Sequence, residues 1–412
     1  MNQKLLDTVS DTLDKFINWL NRFGETSYDY QTFFASPLGG KAKSLYYKSQ
    51  VLGTVAVSPL IFCEAFIPSA RRIFWKRLRF PIADAHYAMG FAFLSQTLGE
   101  KKYYEKALHF LDVLAQTRCP GYQYFCWGYP FYWVTRNGTI PPGTPLITTT
   151  PYVYEAFAKV YQIDKNQKWL ELMHSIAEHA AYDIKDFDTS PDASTCSYTP
   201  NPGDHGGVIN ASAYRAFLLT SAAKQFSDDK YWQIAERNLN FVLQSQQPNG
   251  SWFYAVDNIR DFVDHFHTCF VLKALAKIER LTGHKGCEKA IEKGVKYYVQ
   301  NLFDEEGLPK PFSKAPRLTI YRRELYDYAE CINLGGLLRD SFRELDETVE
   351  KVLKDVLLRW QKPDGSFRSR KLLLGWDNVP MHRWAQAQLF RSLCFLLYNE
   401  KEFRSQEREL KR

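Results

Sequence analysis

QSQQPNGSWFYAVDNIRDFVDHFHTCFVLKALA, running from Gln244 to Ala276, carries the plan of the whole chain. An amphipathic helix ends in a Pro-Asn-Gly-Ser turn, an aromatic and acidic loop follows, and an apolar helix then opens on Asp264, His265 and His267. Apolar residues at helical spacing on both sides of a turn signal define one helical hairpin. The same order begins at PIADAHYAMGFAFLSQTLGEKKYYEKALHFLDVLAQTR, returns at TPYVYEAFAKVYQIDKNQKWLELMHSIAEHAAYDI and returns again at NASAYRAFLLTSAAKQFSDDKYWQIAERNLNFVLQSQ. Fourth and fifth copies open near Asp264 and Tyr326, and a sixth inner helix, His382 to Leu397, has no outer mate after it.

The polar starts Asp84, Thr150, Asn210, Asp264, Asp327 and Arg383 lie roughly 55 to 65 residues apart, the length of one long hairpin plus a loop. At the amino end LLDTVSDTLDKFINWLNRF places Leu5, Val9, Leu13, Phe16, Ile17 and Leu20 on one stripe, a helix without a hairpin partner beside it. Joined to the sixth inner helix, it completes an all-α (α/α)6 toroid of six helical hairpins, closed by the N-terminal helix. An open superhelix would need a polar cap at each end. Residues 1–80 form the closing helix and an extended arm of short helices, and 81–412 the toroid, together one structural domain.

Composition narrows the function. Of 412 residues 45% are apolar, enough for a large core, and the net charge of +7 from 53 basic and 46 acidic residues is too mild for a nucleic-acid binder. Cysteines 63, 119, 126, 196, 269, 287, 331 and 394 show no CxxC pair, and MNQKLLDTVSDTLDKF lacks an apolar signal core, so reduced thiols and a cytoplasmic location are expected. Val51 to Pro68 is apolar but interrupted by Pro59 and Glu64, then followed by Arg71, Arg72, Lys76, Arg77 and Arg79, a pattern for peripheral membrane or synthesis-complex contact through residues 51–79.

In a ring of up-and-down hairpins all inner helices start at one rim, so their first turns and preceding loops surround one opening. Those turns hold Asp84 and His86; Thr150, Tyr152 and Tyr154; Asn210, Ser212 and Tyr214; Asp264, His265 and His267; Asp327 and Glu330; His382, Arg383, Trp384 and Gln386. The loops add Trp127, Tyr129 and Trp133, then Trp252, Tyr254 and Asp257. Sugar rings have apolar faces edged by hydroxyls, so Trp and Tyr among Asp, Asn, Arg and His suit a saccharide cleft. Asp264 and His267, three apart, share a helix face, whereas His265 and His267, two apart, do not. Neither a metal nor a cofactor is expected.

Three chemistries fit. Proton abstraction beside a uronate carboxylate, in an epimerase or lyase, needs a His or Tyr base and Asn or Arg to hold the enolate-like charge: His265, His267, Tyr254, Asn210 and Arg383. A hydrolase needs two carboxylates, from Asp84, Asp257, Asp264, Asp327 and Glu330. The third is a non-catalytic glycan binder or scaffold of a polysaccharide synthesis complex. The positive charge surplus favours the first, on an acidic polysaccharide or oligosaccharide.

WGYPFYW, DFVDHFHTCFVLKAL and VPMHRWAQAQLFRSL resemble a family of toroidal proteins associated with cell-surface polysaccharide biosynthesis, in which a WGYPF-type loop, a DxFHT-type helix start and an MRWxQA-type helix recur. The likeness runs from RRIFWKRLRFPIADAHYA to the last inner helix. It implies a six-hairpin glycosidase-like fold, a carbohydrate context, and functional weight on Trp127, Tyr129, Asp264, His265, His267, Arg383, Trp384 and Gln386. His382 stands where the family pattern has an aromatic residue, and Tyr132 where an acidic one is common. QQPNGSW is also similar to the Gln-and-Trp turn of toroidal triterpene cyclases, a structural device that ties hairpin ends together; the acidic run of those cyclases is absent.

Overall fold

A computed structural model describes residues 3–410. Helix α1 (Gln3–Phe23) is followed by an arm made of α2 (Thr32–Ala35), α3 (Pro37–Lys48), α4 (Gln50–Phe66) and α5 (Arg71–Phe74). Then come the hairpins α6 (Pro81–Leu98) with α7 (Lys101–Gln116), α8 (Thr150–Asp164) with α9 (Gln167–Glu178), and α10 (Ile209–Phe226) with α11 (Asp229–Gln244). The series ends with α12 (His265–Thr282) and α13 (Lys285–Asn301), α14 (Leu325–Leu337) and α15 (Arg343–Asp355), and the unpaired α16 (Ala387–Leu410), which a wide turn at His382–Gln386 leads into. The even-numbered helices from α6 to α16 line the ring, each packed on the next, and α16 packs on α6 to close it.

Composition sorts the two layers. α6 is buried without interruption from Ala83 to Leu94, as an inner helix between neighbours must be, whereas α7 buries only Tyr103, Ala107, Phe110, Leu111 and Leu114, one stripe facing inward. The closing helix behaves as a sixth outer helix. Its Phe16 packs against Phe367 and Phe390, with ring centroids 5.3 and 5.4 Å away.

The Gln-led turns lock neighbouring hairpins. Gln246 Nε2 donates to Gly250 O (3.1 Å) and across to Ala290 O of α13 (2.9 Å), while Gln361 Nε2 donates to Gly365 O (3.1 Å) and across to Thr12 O of α1 (2.8 Å). Both glycines have positive φ, +93° and +95°, and a Cβ would stand 2.4 Å from Lys293 O or 2.3 Å from Lys15 O. The same turn thus seats α1 on hairpin five and α13 on hairpin three, so no other residue than glycine fits either place.

Two features differ from expectation. The arm is more regular than a set of short helices: α3 and α4 form a helical hairpin whose crossing at Gly53 is so close that a Cβ would lie 2.0 Å from Tyr46 Cα. Pro59 lies inside α4, where the carbonyl left without a donor belongs to the turn of Val55, exposed to 70%. Small antiparallel β elements also stiffen the rim loops, among them a three-stranded one pairing Tyr321–Glu324, Arg370–Leu372 and Trp376–Asp377. No single described helix is long and apolar enough to cross a membrane.

Candidate active site

The rim centre is built on the first turn of α12. Asp264 caps the helix, its Oδ1 accepting the His267 backbone N–H at 3.0 Å, and its Oδ2 meets His267 Nδ1 at 2.6 Å. A carboxylate partner puts the ring proton on Nδ1, which leaves Nε2 with its lone pair available as a base. Asp264 is 3% exposed, whereas the His267 side chain is 21% exposed, reaching the opening. Tyr254 stands edge-on to His267 at 4.7 Å and stacks on Phe262 at 4.8 Å.

Asp327 lies on the first turn of the neighbouring inner helix α14. It is 1% exposed and neither carboxylate oxygen has a hydrogen-bond partner. Burial, together with the negative charges of Glu324 and Asp264, pushes its carboxyl well above the ordinary carboxylate range. Glu324 accepts hydrogen bonds from the Trp384 indole and from Arg370 Nε.

Aromatic rings wall the opening. Trp384 stacks on Tyr326 at 4.5 Å with a 12° angle and touches Tyr30 (4.3 Å) and Phe266 (5.3 Å). Tyr129 packs on Phe131 and stands edge-on to Trp133, which continues to Tyr198 at 5.8 Å. One turn deeper, Tyr152 and Tyr214 share a hydroxyl hydrogen bond, and Tyr214, Phe270 and Tyr326 follow at 5.2 and 6.0 Å, plugging the ring below the opening.

Several expected site residues are placed elsewhere. His265 faces outward, its Nδ1 donating to Leu302 O (3.0 Å) and its Nε2 accepting from Tyr298 (2.7 Å), because a position two residues from His267 falls on the opposite helix face. Trp127 and Trp252 are buried, and their indoles donate to Leu114 O and Val242 O (2.9 Å each) near the ends of α7 and α11: they cap outer helices rather than present a stacking face. Gln386 spends both ends of its amide on the backbone of Phe367 (2.9 and 2.8 Å). Asp257 is an exposed loop carboxylate held by Arg260 at 2.6 Å. Asp84 is buried in a two-pronged pair with Arg79, which also binds Glu25. His86 is fully buried against Tyr152 and Arg391 below the plug. Asn210 is 3% exposed at the start of α10, with Oδ1 unpartnered. Glu330 pairs with Lys273 inside the ring.

Arg383 is at the rim, yet its charge is taken. Nε and Nη2 bind both oxygens of Asp29 (2.9 and 2.6 Å), and Nη1 donates to the Tyr129 hydroxyl at 3.1 Å. Arg383 therefore positions Tyr129 and the arm, and is not a free cation for a uronate. Asp29, Tyr30, Glu324, Arg370 and Tyr198 were not legible as site residues. The first two come from the aperiodic stretch before α2. Glu324 and Arg370 are partners across strands, a signal only in the Tyr-Arg-Arg-Glu alternation at 321–324.

The molecule is a closed ring of six hairpins with polar and aromatic groups converging on one rim. The fold is an (α/α)6 toroid. Cellobiose 2-epimerase from Bacillus thermoamylovorans B4167 superposes with a TM-score of 0.62 at 11% identity, over 78% of this chain and 88% of that one. A UGL variant in complex with dGlcA-Glc-Rha-Glc aligns over 97% and 96% of the two chains, with a TM-score of 0.61 and 11% identity. A polysaccharide lyase aligns over 78% and 90%, with a TM-score of 0.54 and 11% identity. No family model matches the sequence, and no curated protein does. At such identities the likeness is one of fold.

Burial sets the histidines apart. His265 is pushed down to about 3 and His382, whose Nε2 donates to Gly24 O (2.9 Å) while Nδ1 accepts from Tyr87 (2.6 Å), to about 4, in both cases chiefly because burial penalises the imidazolium. An unfolded histidine titrates near about 6.5, so their share of stability is complete above that pH and is lost as the pH falls toward about 4 and then about 3. Asp327, displaced upward, acts in the opposite sense, its share declining as the pH rises above the unfolded carboxylate value. In ring NMR titrations, His265 and His382 are expected to keep neutral-form shifts down to about pH 5, while an ordinary histidine converts near about 6.5. Conversion of either in the native protein above pH 6 would overturn this assignment.

Proposed function

We propose that this protein is a carbohydrate-active enzyme that takes the C5 proton from a uronic acid residue in a polysaccharide or oligosaccharide, as an epimerase or lyase in glycan tailoring. The observation that carries the reading is His267, its tautomer fixed by Asp264, together with a buried Asp327 that senses the Asp264 charge and whose carboxyl is pushed well above the ordinary range. His267 Nε2 takes the proton beside the carboxylate, and the electron pair moves into the carboxylate to give an enediolate. The Asp327 O–H is a donor for that charge, in the way a neutral acid held in an apolar site serves enolate chemistry. Return of a proton to the opposite face of C5 gives the epimer. Expulsion of the C4 oxygen gives the unsaturated lyase product. Trp384 and Tyr129 supply faces on which the sugar packs.

One observation favours hydrolysis as a second reading: an acid with raised pKa, Asp327, close enough to Asp264 to sense its charge, is what a general acid and an ionised partner require. Incubation with a panel of uronic-acid polysaccharides in D2O, followed by NMR, separates the two. Deuterium at C5 without cleavage is expected for the epimerase, and an unsaturated end for the lyase. New reducing ends without unsaturation would replace the proposal with hydrolysis. Binding without any of these products would leave a non-catalytic glycan binder or scaffold.

A further inference from the structure

The arm carries a feature the cleft does not use. α4 reads QVLGTVAVSPLIFCEAF, and its apolar residues do not all turn inward: Val51 is 78% exposed, Val55 70%, Leu52 62% and Phe62 56%. Ile73 on α5 is 87% exposed, and Tyr47, Phe66 and Ile67 are each a little under half exposed. A contiguous exposed apolar surface of this kind marks an interaction site. Its polar members are already satisfied, since Thr54 Oγ1 donates to Gln50 O and Ser58 Oγ to Thr54 O, each at 2.6 Å. Hydroxyls turned back on their own helix remove the cost of leaving water.

Charge on the same segment has one sign. Between Pro37 and Arg79 the only acidic residue is Glu64, and it is buried against Arg370 at 2.7 Å. Lys41, Lys48, Arg72 and Lys76 are exposed around the apolar surface. Lys43 is lowered to about 8 by burial and by Arg317, which places the 317–318 loop beside α3 and adds Leu318, 96% exposed. At about 1.5 Å per residue, the 17-residue α4 is shorter than a bilayer core, and α5 leaves it at a bend of 114°. The segment has the length and shape to lie in a surface rather than to span it.

We infer that the α3–α5 arm docks on an anionic phospholipid bilayer, with Val51, Leu52, Val55, Phe62 and Ile73 entering the interface and Lys41, Lys48, Arg72 and Lys76 meeting the headgroups. Apolar burial and electrostatic attraction both contribute to interfacial binding, and basic residues near an anionic surface add to it individually. A second copy would bring the same basic residues against the patch, whereas an anionic bilayer brings opposite charge to it. The inference does not depend on the chemistry of the cleft.

The test is sedimentation of the full chain with vesicles of phosphatidylglycerol and phosphatidylcholine in equal parts, against phosphatidylcholine alone, at about 0.1 M and about 0.5 M salt. Binding is expected to the anionic vesicles and to weaken at the higher salt. Val51→Asn, Leu52→Asn and Val55→Asn together, and separately Lys41, Lys48, Arg72 and Lys76 all changed to Ser, are each expected to weaken it about tenfold or more. All these side chains are exposed, so circular dichroism and thermal melting should match the parent. Leu358→Asn, at a site 82% exposed elsewhere, should leave binding unchanged. Equal recovery in the supernatant with and without anionic vesicles overturns the proposal. So does a dimer in sedimentation velocity that the Asn triple variant dissolves while vesicles are ignored, which would assign the face to a second copy.

Discussion

Replacing His267 by Gln lowers turnover in the deuterium-exchange assay about 10²- to 10⁴-fold, the usual worth of a positioned general base. Gln fills a similar space and keeps a polar end toward Asp264, so the loss falls on proton transfer rather than on the fold. The same reasoning separates the two readings through Asp327. Asp327→Asn retains a hydrogen-bond donor without a transferable proton. If Asp327 only holds an enediolate, that variant keeps measurable exchange. If it protonates a leaving group, activity collapses. A His267→Gln enzyme within threefold of the parent would remove His267 as the base and shift attention to Tyr254.

Loss of Arg370 has the largest expected effect on stability. Arg370 is 4% exposed and binds Glu324 on one side and Glu64 on the other, while Arg71, fully buried, binds Asp377 at 2.6 Å and lies 3.6 Å from Glu64. The five groups form an alternating chain that fastens the arm to the rim. Arg370→Met leaves two buried carboxylates facing each other, and removing one partner of a buried pair costs about 3–5 kcal/mol. In urea melts the midpoint should drop accordingly. Adding Glu324→Gln and Glu64→Gln should recover much of the loss, because neutral groups carry a smaller desolvation cost. A midpoint unchanged by Arg370→Met would mean that the chain is not closed in solution. Trp384 should report the same event by fluorescence, since its indole donates to Glu324.

The helical plan was legible because it is written in short-range terms. Uninterrupted apolar runs mark the inner helices, single stripes the outer ones, and Asp264 with His267 follows from three-residue spacing on a helix. What the sequence hid depends on contacts between distant segments. Asp29 reaches Arg383 across 354 positions and Glu64 reaches Arg370 across 306. No periodicity encodes either. Trp127 and Trp252 misled for a different reason. A tryptophan in a polar loop has the same sequence signature whether its ring faces a ligand or its N–H caps a helix, and only the distance to Leu114 O or Val242 O decides between them. Arg383 was found at the rim, but its commitment to Asp29 was invisible without the arm.

The seat of α1 on the Gly365 turn bears on how the chain is made. α1 is synthesised ahead of the five hairpins, yet the Gln361 that bonds Thr12 lies 349 residues later. At a ribosomal pace of about 5–20 residues per second, the helix waits roughly 20–70 s before its seat exists. Through that interval Tyr87 of α6 can meet Phe16, but the partners Phe367 and Phe390 that cover the same ring in the closed toroid do not yet exist. Five hairpins can assemble during translation, but the ring can close only after the carboxyl-terminal helix has left the tunnel. The nascent ring is therefore an open arc in which α1 is only partly covered, and a chaperone that binds short apolar helices would find its site there.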